Sequence, residues 1–215
     1  ISKINFKVNL NLEKLMKLKT EQEFDLLIDK LNQTLKPFKP YSDLPSNLTK
    51  YNILLMELYF QIDDFDQSIL FAKKIDEEEA DERLKSSAQV FHARSLIKKG
   101  LADEAEELLE TQGWLESIDK TSPANQLFIL AELMKVKEEF NRAMELVSYI
   151  IAFHSQDADW IRSAELLCAE LYLLLDMDDS AAEVLSQIRT LYPNSIENEK
   201  AEILRDELGL KGYIF

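Results

Sequence analysis

The stretch Asp63-Asp64-Phe65-Asp66-Gln67-Ser68-Ile69 follows an apolar run with helical spacing over residues 51–61 and opens a second run of the same kind. The layout returns as Gly100-Leu101-Ala102-Asp103-Glu104-Ala105-Glu106, as Glu138-Glu139-Phe140-Asn141-Arg142-Ala143-Met144 and as Asp176-Met177-Asp178-Asp179-Ser180-Ala181-Ala182. The small residue in each copy (Ser68, Ala105, Ala143, Ala181) recurs at spacings of 37, 38 and 38. Twelve residues upstream stand Met56, Ala93, Ala131 and Ala169, and three residues beyond those come Tyr59, Leu96, Met134 and Tyr172. Four residues after the first set lie Ala72, Leu109, Val147 and Leu185. A period that holds in four separate columns marks an internal repeat.

The physics of such a repeat is direct. Two antiparallel helices joined by a tight polar turn approach closely only where both carry small side chains, while large apolar residues fill the gap to the next pair. One pair cannot bury its own apolar face, so pairs stack and stability becomes a nearest-neighbour sum.

These columns resemble the signature positions of the tetratricopeptide repeat family, as do the acidic-aromatic turn Asp64-Phe65-Asp66 and the proline of Leu191-Tyr192-Pro193-Asn194-Ser195. The likeness covers about residues 48–195. It departs from the family in three ways. The aromatic near the start of the first helix is replaced by Asn52, Gln89, Leu127 and Glu165. The repeat-ending proline is confined to the last unit, and the period exceeds the usual ~34 residues. The resemblance implies an all-α fold, a right-handed α–α superhelix of about four to five helix pairs with a C-terminal capping helix. The expected division is an N-terminal segment and degenerate first repeat over 1–47, four repeats over 48–195, and a capping helix and tail over 196–215.

The ends read differently from the middle. Ile196, Ala201, Leu204 and Leu208 share one face of a terminal helix. Residues 12–19 and 21–36 carry two helical patterns with Thr20 as the candidate N-cap, and Pro37, Pro40 and Pro45 then mark a loop. Ile4, Phe6, Val8 and Leu10 alternate with polar residues, as in a strand or an extended tail. The chain opens on Ile1 rather than Met, as expected of a processed mature chain or a piece of a longer one.

Composition narrows the function. Net charge is −15, and it is uneven: residues 1–50 hold nine lysines and six acidic residues, residues 51–215 sixteen basic and 34 acidic. A body carrying −18 repels phosphate backbones and anionic lipid surfaces, so neither nucleic acid nor direct membrane insertion is expected. No apolar run approaches the ~20 residues of a membrane helix. The single cysteine, Cys168, excludes an internal disulfide and a cysteine-based zinc site.

No credible active site emerges, and neither a cofactor nor a metal is expected. The four glycines are isolated, so no phosphate-cradling loop exists. His92 and His154 are remote from each other in sequence, and each reads as a helix-flank or turn residue. The run Asp176-Met177-Asp178-Asp179-Ser180 superficially suits calcium, but Ala181 and Gln187 stand where such a loop needs glycine and a bidentate acid. Cys168, beside the small-column Ala169, reads as a buried thiol. The acidic runs Glu77-Glu78-Glu79, Asp81-Glu82 and Glu104, Glu106, Glu107, Glu110 read as solvated helix faces that would also steer a basic partner.

In the tetratricopeptide family the first helices of successive pairs line a concave, partner-gripping groove. By position the resemblance assigns Ile53, Glu57 and Phe60 to that surface in the first regular unit, and Val90, Arg94 and Ile97 in the second. The third supplies Phe128, Glu132 and Lys135, the fourth Leu166, Glu170 and Leu173. An apolar floor with a row of charges would bury an extended or helical segment of a protein or peptide partner, or serve equally as a homodimer interface. Tighter curvature would instead turn the floor into core. The Lys and Asn of the family's carboxylate clamp are absent, so binding of a chaperone tail of that type is not expected. The expected function is a non-catalytic interaction scaffold. The long period and the Tyr192-Pro193-Asn194-Ser195 ending are similar to repeats of bacterial outer-membrane assembly lipoproteins and periplasmic coordinators, which implies an envelope setting. The alternatives are a ligand- or peptide-sensing regulatory domain, or a helical accessory domain, of a longer protein.

Overall fold

Residues 7–8, 12–41, 47–78, 81–116, 118–158 and 160–214 are described by the structure, a computed structural model. Among them are eleven α-helices, one 3-10 helix and no strand. The chain divides into two compact units, residues 1–99 and residues 100–215.

The first unit contains α1 (Leu12–Thr20), α2 (Phe24–Leu35), a 3-10 helix (Lys36–Tyr41), α3 (Thr49–Gln61), α4 (Phe65–Glu78) and α5 (Glu82–Lys98). Each helix packs on its neighbour in sequence, and α3 also packs directly on α5. Its core joins Leu27, Ile28, Leu31 and Leu35 of α2 to Tyr51, Leu55 and Leu58 of α3. A second cluster joins Met56, Ala72, Ile75 and Ala88 across α3, α4 and α5.

The second unit contains α6 (Ala102–Thr111), α7 (Ala124–Val136), α8 (Phe140–Phe153), α9 (Ile161–Leu174), α10 (Asp178–Leu191) and α11 (Ile196–Leu210). Here too sequence neighbours pack in pairs, with further direct contacts of α7 with α9 and of α9 with α11. Leu166 and Ala169 of α9 meet Ala181, Leu185 and Ile188 of α10 and Ala201 and Leu208 of α11 in one core.

Three of the four repeat columns are wholly buried, while in the fourth Leu96 is 6% exposed and Tyr59, Met134 and Tyr172 are half-buried. Met56, Ala93, Ala131 and Ala169 are 0% exposed, as are Ser68, Ala105, Ala143 and Ala181. Ala72, Leu109, Val147 and Leu185 are at most 1% exposed. Small side chains there let backbones approach, and the Ser68 hydroxyl donates directly to the Met56 carbonyl at 3.1 Å.

The turns repeat as faithfully. Asp63, Gly100, Glu138 and Asp176, each five residues before the small column, have positive φ of 60°, 77°, 61° and 56°. The next amide closes back over the helix end, from Asp64 to the Tyr59 carbonyl (2.9 Å), Glu139 to Met134 (2.9 Å) and Met177 to Tyr172 (2.8 Å). This is the left-handed helix stop that satisfies orphaned carbonyls. The same residue's carbonyl then accepts the first bond of the next helix, from Ser68, Ala143 and Ala181. One residue thus ends one helix and begins another, which keeps each hairpin tight.

The same turn occurs three times more among the described residues, once at the end of α6, where Gly113 has φ 71° and the Trp114 amide donates to the Leu109 carbonyl at 2.9 Å. Gln22 has φ 56°, and the Glu23 amide donates to the Leu18 carbonyl at 3.0 Å. Counting forward puts Leu27 in the small column and Leu31 four residues on, both 0% exposed. At the other end Gly212 has φ 99° and the Tyr213 amide donates to the Leu208 carbonyl at 3.2 Å. Counting back places Arg205 where α3, α5, α7 and α9 carry Met or Ala. It is 4% exposed, with its guanidinium donating to the Leu185 carbonyl (3.1 Å) and to Asn198 Oδ1 (3.0 Å).

Three sequence expectations change. Thr20 is the last residue of α1 rather than an N-cap, because the turn falls at Gln22 and α2 starts after Glu23. Pro37 and Pro40 lie in the 3-10 helix rather than in a loop, since proline's fixed φ is compatible with a helical turn; Pro45 is outside the described residues. Of the alternating Ile4, Phe6, Val8 and Leu10, only Val8 is described, and it pairs with no strand. Its N–H donates to Asn47 Oδ1 (2.8 Å), while its carbonyl accepts from Asn47 Nδ2 (2.9 Å) and the Tyr51 hydroxyl (2.9 Å). A side-chain amide thus takes the place of a neighbouring strand.

Candidate functional site

The proposed groove positions fall on one face of each first helix, and none of the twelve is freely exposed. Phe60, Val90, Ile97, Phe128, Glu132 and Leu166 are buried; Ile53, Glu57, Arg94, Lys135, Glu170 and Leu173 are half-buried. The cause is the direct packing of first helices on one another, α3 on α5 and α7 on α9, which covers residues facing the neighbouring pair.

In the first unit Phe60 lies edge-on to Phe65 (5.5 Å between centroids) and to Phe91 (5.3 Å). The Arg94 guanidinium stands 4.8 Å above the Phe60 ring, a cation–π contact that joins α5 to α3. Glu57 accepts from Lys19 Nζ at 2.9 Å, and Ile53 packs against the cluster around Met56. In the second unit Phe128 meets Trp160 at 5.3 Å. Lys135 and Glu170 form an ion pair between α7 and α9, and Leu173 lies against the α9–α10–α11 core. The structure therefore brings together Phe60 with Arg94, and Lys135 with Glu170. Of the charge row Glu57, Arg94, Glu132 and Glu170, three members hold other parts of the protein, and Glu132 is 6% exposed.

Ionisable groups outside this face are structural in their surroundings. Burial pushes the Cys168 thiol up to about 11, beside Met144 Sδ at 3.8 Å, so it stays protonated and unreactive. His92 is lowered to about 4, first by desolvation and then by Lys73, against an opposing pull from Asp76. The Glu165 carboxyl, 6% exposed, is raised by desolvation, with the Tyr192 hydroxyl acting the other way. Its Oε1 accepts from Gln187 Nε2 at 3.3 Å, while Oε2 has no hydrogen-bond partner among the described residues. His154 Nε2 lies 3.2 Å from the Lys120 carbonyl. Among the described residues no three His, Cys, Asp or Glu side chains converge as metal ligands would, and no helix is long and apolar enough to cross a membrane.

One surface feature was not read from the sequence. Val136, Leu174 and Leu210 are exposed and occupy the same register, two residues before the left-handed turn that ends α7, α9 and α11. Their spacings of 38 and 36 follow the repeat, so counting from the turns rather than from the small columns would have found them. The chain matches no family model and no curated protein.

Proposed function

We propose that this protein is a non-catalytic interaction module, a tetratricopeptide-like superhelix whose first helices face a protein or peptide partner. The observation that carries the reading is the repeat itself: twelve register positions at 0–1% exposure, with first helices packed directly on one another inside each unit. An array of this kind concentrates its repeated residues in internal packing and leaves successive helices as a repetitive face for recognition. α11 fits the role of a cap. Glu207 is exposed at the register where Leu58, Ser95, Leu133 and Leu171 are 0% exposed, so the helix turns a polar side outward. Within each unit the half-buried members of the first helices, above all Glu57 in the first and Glu170 in the second, are where a partner would meet them.

The test is crosslinking capture from the source cell with the full chain, a Glu57→Lys/Glu170→Lys variant and an exposed-site control, Glu107→Lys. Circular dichroism would verify that all three are equally helical. A protein captured by the first and third baits and lost by the second supports the face. Equal capture by all three removes it, and no capture above background removes the interaction reading.

A further inference from the structure

From the second unit we infer a docking stripe, formed by Val136, Leu174 and Leu210, for a basic extended segment with an apolar residue at every third position. The inference rests on the interaction-module reading and names the partner class for one of its units.

The three residues are 45%, 46% and 92% exposed, and each lies in the last turn of its helix. α9 packs on both α7 and α11, so the three helix ends stand side by side. Two contacts tie these helices together: the ion pair from Lys135, next to Val136, to Glu170 on α9, and the 2.9 Å bond from Ser163 Oγ of α9 to Glu197 of α11. The first unit lacks the feature, because the matching positions on α3 and α5 are Gln61 and Lys98.

Charge selects the occupant. Residues 1–99 balance, with 16 basic and 16 acidic residues, whereas residues 100–215 hold nine basic and 24 acidic. The exposed Asp206 precedes Leu210 by one turn, whereas at the matching positions Glu132 is buried and Glu170 is paired with Lys135. Two residues beyond Val136 and Leu174 come the exposed Glu138 and Asp176. The nearby lysines are neutralised in place, Lys135 by Glu170, Lys137 by Glu106 (2.6 Å) and Lys211 by Asp178 (2.7 Å). The hollow beside Leu210 is lined by Arg189 and Arg205 as well as Glu202 and Asp206, so its charge is balanced and the acidic field comes from the rest of the unit. An apolar row set in a field of this sign attracts a cationic segment and repels a second copy of itself.

Spacing selects the conformation. Helices packed side by side stand about 8–10 Å apart. A polyproline II segment rises ~3.1 Å per residue with three residues per turn, so every third side chain lies on one face at ~9 Å intervals. Leu-Pro-Lys triplets therefore present leucines at the period of the stripe and lysines to its acidic margins.

The experiment is fluorescence anisotropy of the full chain with a labelled peptide of four Leu-Pro-Lys triplets. The comparison peptides are one of the same composition with its leucines clustered and one with Glu for Lys. The expected result is saturable binding of the triplet peptide, weakened about tenfold for each leucine removed in Leu174→Ser and Leu210→Ser. Phe153→Ser, an exposed site elsewhere on the unit, should leave binding unchanged. Equal binding of the clustered or the acidic peptide, indifference to the serine variants, an equal loss in Phe153→Ser, or no binding at all would each overturn the proposal. So would sedimentation showing that the chain self-associates through these leucines. Because Glu170 also borders the stripe, the two readings are separated with Glu57→Lys alone: capture lost in that variant without triplet binding sinks the stripe alone, whereas triplet binding with capture unchanged in that variant sinks the groove alone.

Discussion

The Ser68 hydroxyl donates to the Met56 carbonyl at 3.1 Å across the crossing of α3 and α4, with both residues wholly buried. The closest approach of these two helices is thus also a point of hydrogen bonding. The equivalent positions in the second unit use alanine on both sides, Ala131 with Ala143 and Ala169 with Ala181. Size is what the crossing demands; the hydroxyl is secondary.

Ser68→Ala should therefore cost less than about 1 kcal/mol, since the Met56 carbonyl already lies in a helix and only one modest bond is lost. Ala143→Leu should cost about 1–3 kcal/mol or more, because the added volume has to displace α7 from α8. Urea midpoints of both variants against the parent test the difference, and similar losses would contradict the argument.

Glu138 holds a left-handed conformation that costs a residue with a Cβ about 1–2 kcal/mol. Glu138→Gly should raise stability by up to about 1 kcal/mol, offset in part by glycine's greater freedom in the unfolded chain. Gly100→Ala should lower it by about 1 kcal/mol through backbone strain alone, since nothing lies within 4 Å of the added Cβ. Thermal melts with opposite signs for the two changes are the expected result.

Phe128 is 3% exposed and packed on Trp160, so Phe128→Ala should behave as a core truncation. A loss of about 3–5 kcal/mol is expected. A loss below about 1 kcal/mol in chemical denaturation would show that Phe128 is open to solvent after all.

His92 is charged only at unusually low pH in the folded chain, lowered to about 4 by desolvation and Lys73. The unfolded chain binds this proton first as pH falls. Stability is therefore fully present above the ordinary value of 6.5 and is lost progressively as pH falls toward about 4. His92→Gln should flatten this slope by about 1–2 kcal/mol, less than full burial would give, because the ring keeps some contact with water. Urea midpoints of parent and variant between these two pH values measure it.

Glu165 has the opposite sign. Desolvation raises its folded pKa, so the folded chain keeps the proton longer than the unfolded chain. Its contribution is present below the ordinary carboxyl range and is lost as pH rises through the raised value. Glu165→Gln should stabilise the protein by about 1 kcal/mol at ~pH 8 and make little difference at ~pH 4. A difference that does not change with pH would place the carboxylate in solvent.

The helix pairs and their period are legible in the residue pattern. Ala93, Ala131 and Ala169, and Ser68, Ala105, Ala143 and Ala181, are legible because close helix packing excludes large side chains at a fixed interval. The first and last turns were hidden, since Leu27 and Arg205 occupy the small column there and the signal survives only in the backbone at Gln22 and Gly212. Solvent exposure was decided by tertiary structure alone. Val90, Phe128 and Leu166 lie on faces that the sequence assigns to a groove floor, yet direct packing of one first helix on the next buries them. Val136, Leu174 and Leu210 look no different in composition, but they are the last residues of their helices and stay in water. Periodicity specifies which residues share a face; how closely neighbouring helices approach decides whether that face is core or surface.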